Sequence, residues 1–411
     1  MKKSSLAEDF FICKFIKVIF FAKRNHHGIC FLPILKNVKK GFEKKKHLIF
    51  RVGLIFYFVC VKMKEREKRN ETENEMIYKN IEIYNAAALY KGECGGICWS
   101  RYPDAVCEGF EKDSARIQAR NCSGVELRFI LKGESAKLRI RSTATGIYHI
   151  YRGGIQGGWY DHEGKVTSPE GTEILIERKE QDLVERMHKD QGLPWDPNLI
   201  RIIFDRGRFE LLDVEGDVCP PANGQTPEKT ILFYGSSITH GSNSMNNSNA
   251  WTAWVAHALS MDALNKGLAG SCRMEETTVS YLGALGREGK WDVAVLELGI
   301  NACEWEEERR RIHVKKTLDH IAGQNPTKPI FVISPFYCDA DYRGSGAPAA
   351  WRETIRSVVM ERAYPNVTYI PGNEILSDMR GISTDGVHPS IYGIAEIAEK
   401  LTARMRAVLE K

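Results

Sequence analysis

The chain has 411 residues, of which 43% are hydrophobic, 10% aromatic and 27% charged. This length exceeds the roughly 100 to 200 residues of a single domain, so two folded units are expected. The composition provides for a sizeable core and excludes a wholly disordered, collagen-like or disulfide-dense chain.

The formal net charge of +5 is unevenly distributed along the chain. Residues 1–75 contain 18 Lys and Arg against 8 Asp and Glu, whereas the rest of the chain carries a net charge of −5. Nucleic-acid binding needs clustered basic residues on the folded part of a protein. We therefore expect no nucleic-acid partner.

Residues 1–75 form a basic N-terminal extension with two apolar runs. Lys14 and Lys17 interrupt the first run, which argues against a signal peptide. The second run, 48–61, contains Arg51 and is shorter than the roughly 20 residues of a membrane-spanning helix. We expect no stable membrane span. Met63 begins a polar stretch typical of a native start, so 1–62 is interpreted as upstream sequence outside the native protein, with a signal or a span as alternatives.

Residues 76–223 contain short runs rich in β-branched and aromatic residues, separated by Gly, Asn and Asp. Their period-two alternation predicts an antiparallel β-sandwich resembling a jelly roll, without a long helix. The predicted strands are Val125–Leu131, Ala136–Arg141, Gly146–Arg152, Thr172–Glu177, Leu199–Phe204 and Phe209–Val214. The Pro-containing stretch Cys219–Gly224 then predicts a linker.

In residues 228–411, buried-strand patterns alternate with helical patterns, which predicts an α/β domain with a doubly wound parallel sheet. The predicted strands are Ile231–Gly235, Met261–Asn265, Asp292–Leu298, Pro329–Ser334 and Val367–Ile370. The predicted helices are Ala250–Leu259, Glu304–Ala322, Ala350–Arg362 and Ile391–Leu409. Ligands of such sheets bind beyond the carboxyl ends of the strands.

Several residues suited to acyl transfer follow these strands. Ser237 is a candidate nucleophile, because a nearby imidazole such as His388 could take its proton. Asp385 could hold that imidazole in the correct tautomer. The backbone N–H groups of Ser237 and Gly270 and the side-chain amide of Asn301 are candidate oxyanion donors. Ser236 is the nearest rival nucleophile.

The four blocks GSSIT, GLAG, GIN and DGVHP together resemble the SGNH hydrolases, also called GDSL-like esterases and lipases. The resemblance implies a flavodoxin-like catalytic domain, with Ser237 as nucleophile, Gly270 and Asn301 in the oxyanion hole, and Asp385 and His388 completing the triad. Two positions depart from the commonest pattern: Ser236 stands where Asp is usual, and Ala302 follows the oxyanion Asn. A β-sandwich before such a domain resembles two-domain carbohydrate esterases and related acyltransferases.

Other candidate residues have weaker support. Trp159 and Tyr160 lie in a Gly-rich stretch and could contact a sugar, although core or edge positions are commoner for such residues. His240 is expected to be solvent-exposed at a helix start, with substrate contact as the alternative. Cys94 and Cys98 lack the partners of a zinc site, so no metal is expected. No nucleotide cofactor is implied, because the GSSITHG loop lacks the Gly-Lys-Ser/Thr ending of a phosphate-binding loop.

These patterns and the resemblance predict a serine ester hydrolase that removes a short acyl group, such as acetyl, from a carbohydrate or another polar alcohol. An acyltransferase using the same acyl-enzyme is the alternative in chemistry. A noncatalytic carbohydrate-binding protein is the alternative from another class. Scattered cysteines without a convincing export signal favour reduced buried thiols and a cytoplasmic location. The oligomeric state is not predicted.

Overall fold

The computed structural model describes residues 76–410, except for residues 145, 162, 163 and 167–169. The predictions made for the N-terminal extension fall outside these residues. The described residues all belong to one compact unit. Within them, no helix combines the length and the apolar character needed to cross a membrane.

The first part of the described chain forms an antiparallel sheet of eleven strands. Strands β3-β4-β11-β5-β10-β6-β7 are neighbours in that order, while β2 and β9 also pair with β5, β1 pairs with β2, and β8 pairs with β6. The strands are β1 Ile77–Tyr78, β2 Ile81–Tyr84, β3 Ala88–Lys91, β4 Ile97–Ser100, β5 Glu126–Ser142, β6 Gly146–Arg152, β7 Ile155–Gln156, β8 Gly164–Val166, β9 Thr172–Glu177, β10 Leu199–Phe204 and β11 Phe209–Cys219. An antiparallel sheet that precedes a parallel one is the predicted arrangement.

Strand β5 is a single strand of 17 residues, whereas the sequence predicts two strands here. The polar residues between the two predicted strands do not form a turn. They form a bulge in β5, opposite β11, where pairing passes from Leu131 with Val218 to Ala136 with Gly216. Such a bulge accommodates extra residues without ending a strand, and sequence alternation alone does not distinguish it from a hairpin.

Three helices interrupt the antiparallel part, although no long helix is predicted there. They are α1 Asp104–Glu108, α2 Asp113–Ala119 and α3 Gln181–Gln191. Only Val184 and His188 of α3 are buried, one turn apart. The prediction that this part has no long helix is therefore wrong for 181–191, where only Leu183, Val184 and Met187 are apolar and mark one helical face.

The second part is a parallel sheet of five strands in the order β13-β12-β14-β15-β16. These strands are β12 Thr230–Tyr234, β13 Asp262–Asn265, β14 Val293–Glu297, β15 Ile330–Ile333 and β16 Val367–Ile370. The helices are α4 Ser237–His240, α5 Trp251–Ala258, α6 Glu276–Arg287, α7 Glu307–Leu318, α8 Asp339–Tyr342, α9 Ala347–Arg362, α10 Gly372–Ile375 and α11 Ile391–Leu409. The predicted doubly wound α/β fold is confirmed. The order of β12, β13 and β14 creates a topological switch point between β12 and β14.

Two apolar clusters cover the faces of the parallel sheet. One of them contains Tyr102 and Phe110, which lie early in the chain, together with Leu232 and Leu264 of the sheet. Helices α1 and α2 contribute Val106, Ala115 and Ala119 to the same cluster. The segment around 102–119 therefore packs against the parallel sheet, although it precedes the predicted linker.

Candidate active site

The candidate nucleophile lies at the start of the short helix α4, directly after strand β12. The hydroxyl of Ser236 accepts a hydrogen bond from the Ile238 N–H at 3.1 Å and caps this helix. Ser237 is the first residue of the helix and is 7% exposed. The strand and the capped helix thus hold the Ser237 backbone at the switch point of the sheet.

Ser237, His388 and Asp385 form a continuous hydrogen-bonded chain. The Ser237 Oγ and His388 Nε2 atoms are 2.7 Å apart, and His388 Nδ1 is 2.8 Å from Asp385 Oδ2. Because an ionised carboxylate can only accept, the proton lies on Nδ1, which leaves Nε2 free to accept the serine proton. The structure therefore brings together the three predicted triad residues, which lie up to 151 positions apart.

The Asp385 carboxylate is held in its ionised form. Burial alone would raise its pKa, but hydrogen bonds from the backbone N–H groups of His388 and Val387 and from the His388 ring hold the pKa well below its usual range. Both backbone bonds measure 2.9 Å and end on Oδ1, while the side chain of Asn243 donates to Oδ2 at 3.3 Å. A carboxylate with this many donors stays charged at neutral pH.

The predicted oxyanion donors lie around the same serine. Gly270 is the third residue of a turn closed by a bond from Ser271 N to Leu268 O, at 3.0 Å. Its φ of +66° is in the left-handed region, which favours glycine at this position of a turn. The Oδ1 atom of Asn301 accepts from the Cys272 N–H at 3.0 Å, so the Nδ2 group of Asn301 remains available as a donor.

A cavity of about 780 Å³ joins these groups. Ser237, Gly270, Asn301, Asp385 and His388 all contribute to its wall. Its remaining lining residues come mostly from the loops after β14 and β15 and from the start of α9, and they include Ile300, Cys303, Cys338, Asp339, Ala340, Arg343, Ser345, Ala347 and Pro348. The wall combines apolar surface with one ion pair, between Arg343 and Asp339.

The three predicted substrate-contact residues do not line this cavity. Trp159 is 86% exposed and its ring contacts that of Tyr160 edge-on, with the centroids 5.7 Å apart. His240 is 0% exposed, so its predicted solvent-exposed position is wrong. It ends α4 instead of beginning it, and its ring packs inside the protein because the loop after β13 covers it.

Glu297, at the end of β14, is part of the site but was not predicted. Its Oε2 atom accepts from the Ser236 N–H at 2.7 Å, from the Ser236 hydroxyl at 2.6 Å and from the Thr239 hydroxyl at 3.1 Å. Glu297 is 1% exposed, and burial raises its pKa to about 7 despite these hydrogen bonds. One feature of the sequence could have indicated this: Glu297 ends the otherwise apolar strand VAVLE, and a buried charged residue needs a partner. A carboxylate thus reaches the loop beside Ser237 from the neighbouring strand, although Ser236 itself is not acidic.

We expect Glu297→Gln to reduce the pH dependence of stability. The pKa of Glu297 in the folded protein, about 7, exceeds the ordinary value of 4.5. The corresponding stabilisation is complete below the lower value and is lost as the pH rises through the higher one, by up to about 1.4 kcal/mol per pH unit. Thermal denaturation between about pH 5 and about pH 8 checks this. Equal slopes for the variant and the wild type would contradict the assignment.

The described part of the chain contains no group of three or more His, Cys, Asp or Glu side chains arranged to hold a metal ion. Its cysteines are free thiols, of which Cys122, Cys272 and Cys338 are buried and Cys94 is exposed. Burial is predicted for the scattered cysteines of the second half of the chain; it is confirmed for Cys272 and Cys338 and is wrong for Cys219 and Cys303, which are partly exposed. None of the residues around Ser237 forms a metal-binding group.

Sequence comparison assigns the parallel-sheet region to a family. Residues 233–394 match the GDSL-like lipase/acylhydrolase family. Comparison with curated proteins yields no match. The matched range contains the end of β12, all of β13 to β16 and every residue of the candidate site.

Solved structures share the fold of both sheets. The salicylyl-acyltransferase SsfX3 from a tetracycline biosynthetic pathway has a TM-score of 0.65 at 16% identity, over 80% of this chain and 95% of its own. A family two carbohydrate esterase from Cellvibrio japonicus has a TM-score of 0.55 at 14% identity, over 82% and 97%. One from Clostridium thermocellum, in complex with cellohexaose, has a TM-score of 0.50 at 18% identity, over 71% and 94%. Residues 233–394 are thus similar to the GDSL-like lipase/acylhydrolase family, and an antiparallel sheet precedes this matched range.

Proposed function

We propose that the protein is a serine ester hydrolase that works through an acyl-enzyme on Ser237. The observation that carries this proposal is the chain of two short hydrogen bonds from Ser237 Oγ through His388 to Asp385, at the wall of a cavity. A serine hydroxyl needs such a base to become a nucleophile near neutral pH. The match of residues 233–394 to an acylhydrolase family agrees with this chemistry.

In the proposed acylation step, Ser237 Oγ attacks the acyl carbon and its proton passes to His388 Nε2. The carbonyl oxygen becomes an oxyanion, which accepts hydrogen bonds from the N–H groups of Ser237 and Gly270 and from Asn301 Nδ2. The tetrahedral intermediate then collapses, and the alcohol leaves with the proton that His388 holds. Asp385 stabilises the imidazolium during the transfer.

Deacylation repeats these steps with water. His388 takes a proton from a water molecule, whose oxygen attacks the acyl carbon, and the second oxyanion occupies the same donor site. Collapse returns the proton to Ser237 Oγ and releases the carboxylic acid. The enzyme is then ready for another ester.

We propose a short acyl group on a carbohydrate or another polar alcohol as the substrate class. The support is the shared fold with two carbohydrate esterases, in which an antiparallel sheet also accompanies the catalytic domain. The mixed polar and apolar wall of the 780 Å³ cavity suits a small acyl group beside a polar alcohol.

An acyltransferase is the second candidate. The salicylyl-acyltransferase has a TM-score of 0.65, above those of both carbohydrate esterases described here. Transfer uses the same acyl-enzyme, and another hydroxyl replaces water in the second step. A noncatalytic carbohydrate-binding protein is disfavoured, because such a role would not require the Ser237, His388 and Asp385 arrangement.

The test is hydrolysis of aryl esters of increasing acyl length, with and without added alcohols. We expect turnover to be greatest for the acetyl ester and a fluorophosphonate to label Ser237, as read by peptide mass. New esters formed from an added alcohol would support transfer instead. A protein that neither turns over any ester nor accepts the label would contradict both forms of the proposal.

We expect Asn301→Ala to lower kcat by about 10²- to 10³-fold, the usual effect of removing one oxyanion donor. The KM should change little, because this donor acts mainly on the oxyanion and not on the bound ester. Steady-state kinetics on the aryl acetate checks this. A change confined to KM would show that Asn301 binds the substrate and does not stabilise the oxyanion.

A further inference from the structure

We propose that His240 is a positioning residue for the oxyanion site, and that its Nδ1 atom holds the turn that presents the Gly270 N–H. This inference rests on the proposed function, because it assigns a role within the same site. His240 itself lies outside the cavity wall, so it does not touch the substrate. The turn consists of Leu268, Ala269, Gly270 and Ser271.

The contact that carries the proposal is between the ring of His240 and the Ala269 backbone. The Ala269 N–H donates to His240 Nδ1 at 3.2 Å. Ala269 directly precedes Gly270, so this bond fixes the chain at the start of the peptide unit that carries the Gly270 N–H. On the other side, Cys272 N–H donates to Asn301 Oδ1 at 3.0 Å. Hydrogen bonds therefore fix the backbone on both sides of Gly270, at Ala269 and at Cys272.

A backbone N–H can only donate, so Nδ1 must be the unprotonated nitrogen of a neutral ring. The surroundings of His240 favour this form. Burial lowers the pKa of His240 well below its usual value, and the positive charges of Arg101 and Arg206 lower it further. The ring therefore remains an acceptor for Ala269 under ordinary conditions.

Other hydrogen bonds also hold the loop after β13 against α4 and the residues just before it, and they restrict the movement of the turn. Leu268 N–H donates to Gly235 O at 2.9 Å, and the Asn265 side chain donates to Thr239 O at 2.8 Å. A Cβ atom on Gly267 would lie 2.5 Å from His240 N, which shows how closely the loop approaches this helix. His240 supplies the last of these links before Gly270.

Arg101, from the antiparallel part, holds the backbone that leads into this turn. Arg101 is completely buried, and its guanidinium donates to Asn265 O at 3.0 Å and to Gly267 O at 2.9 Å. These bonds hold the backbone just before the turn, whereas His240 holds the turn itself. Lys112 Nζ donates to Gly270 O at 3.4 Å, so this turn is held from the antiparallel part as well, while His240 is the link on the N-terminal side of the Gly270 N–H.

The test compares two amides of different length at position 240. In His240→Asn, the amide reaches the place of Nδ1 and can accept from Ala269. In His240→Gln, it reaches the place of Nε2 and leaves that N–H without its acceptor. We expect kcat on an aryl acetate to fall by about tenfold to a hundredfold in His240→Gln, with KM unchanged, and to stay within about threefold in His240→Asn.

A second readout follows the oxyanion site directly. An alkylboronic acid adds to Ser237 Oγ to form a tetrahedral anion, while the serine proton passes to His388. We expect its affinity to fall in His240→Gln in proportion to kcat, and to be retained in His240→Asn. His320→Gln, at a partly exposed histidine paired with Glu276, is the matched control and should leave both quantities unchanged.

Hydrogen exchange separates this inference from the proposed function, because it needs no activity. Amides of the peptide covering residues 266–272 should exchange faster in His240→Gln than in His240→Asn or in the wild type. Equal exchange and equal boronate affinity in the two variants would overturn the role of His240. An inactive wild type that still shows this exchange difference would refute only the esterase proposal.

Discussion

Ser237→Ala is expected to lower kcat for ester hydrolysis by about 10⁶-fold, the scale found when the nucleophile of a serine hydrolase is removed. The reason is that no acyl-enzyme can form without the Ser237 hydroxyl, while the donors of the oxyanion site remain. The backbone N–H of residue 237 is retained, so residual hydrolysis above the uncatalysed rate is expected. Initial rates on an aryl acetate, with the wild type measured in parallel, check this.

Ser236→Ala is the matched control, because this neighbouring hydroxyl is the rival nucleophile. Its Oγ accepts from Ile238 N–H and donates to Glu297, so the expected cost is a lower stability, of about 1 kcal/mol for the lost helix cap. Most of the activity should survive. Comparable turnover by both variants and the wild type would contradict a serine nucleophile at this site, whereas loss in Ser236→Ala alone would make Ser236 the nucleophile.

Asp385→Asn is expected to lower kcat by about 10⁴-fold while leaving the fold intact. The amide oxygen can still accept from the backbone N–H groups of Val387 and His388. The amide nitrogen, however, would donate to His388 Nδ1 and so place the ring proton on Nε2. That tautomer cannot accept the proton of Ser237, which at present lies 2.7 Å away.

The measurement is steady-state kinetics on the aryl acetate, together with the thermal denaturation midpoint. We expect the midpoint to change much less than the rate. Fluorophosphonate labelling should slow in parallel, because it depends on the same activation of Ser237. Retention of the wild-type rate would mean that another group orients His388. If Asp385→Asn does not fold, Asp385→Glu is measured in its place. Its longer side chain displaces the carboxylate and retains the charge.

Much of this architecture was predictable because it depends on local patterns. Continuous apolar runs such as Ile231–Gly235 predict buried parallel strands, and the carboxyl ends of such strands share one edge. From the sequence alone, that rule groups Ser237, Gly270, Asn301 and His388 at one sheet edge. In the structure, all four line the wall of one cavity. Their catalytic roles stay predictions until the variants are measured.

The features that escaped prediction depend on contacts between distant parts of the chain. Whether β5 turns or continues depends on its pairing with β11 on both sides of a bulge, and whether His240 is exposed depends on the loop after β13 that covers it. The partner of Glu297 is likewise supplied by another strand. The sequence by itself thus determined that an antiparallel sheet precedes a parallel α/β sheet, and which reactive side chains lie at the edge of the parallel sheet. Only the tertiary structure decided which buried side chains support that chemistry, because burial and hydrogen-bond partners arise from packing across elements, which local periodicity does not encode.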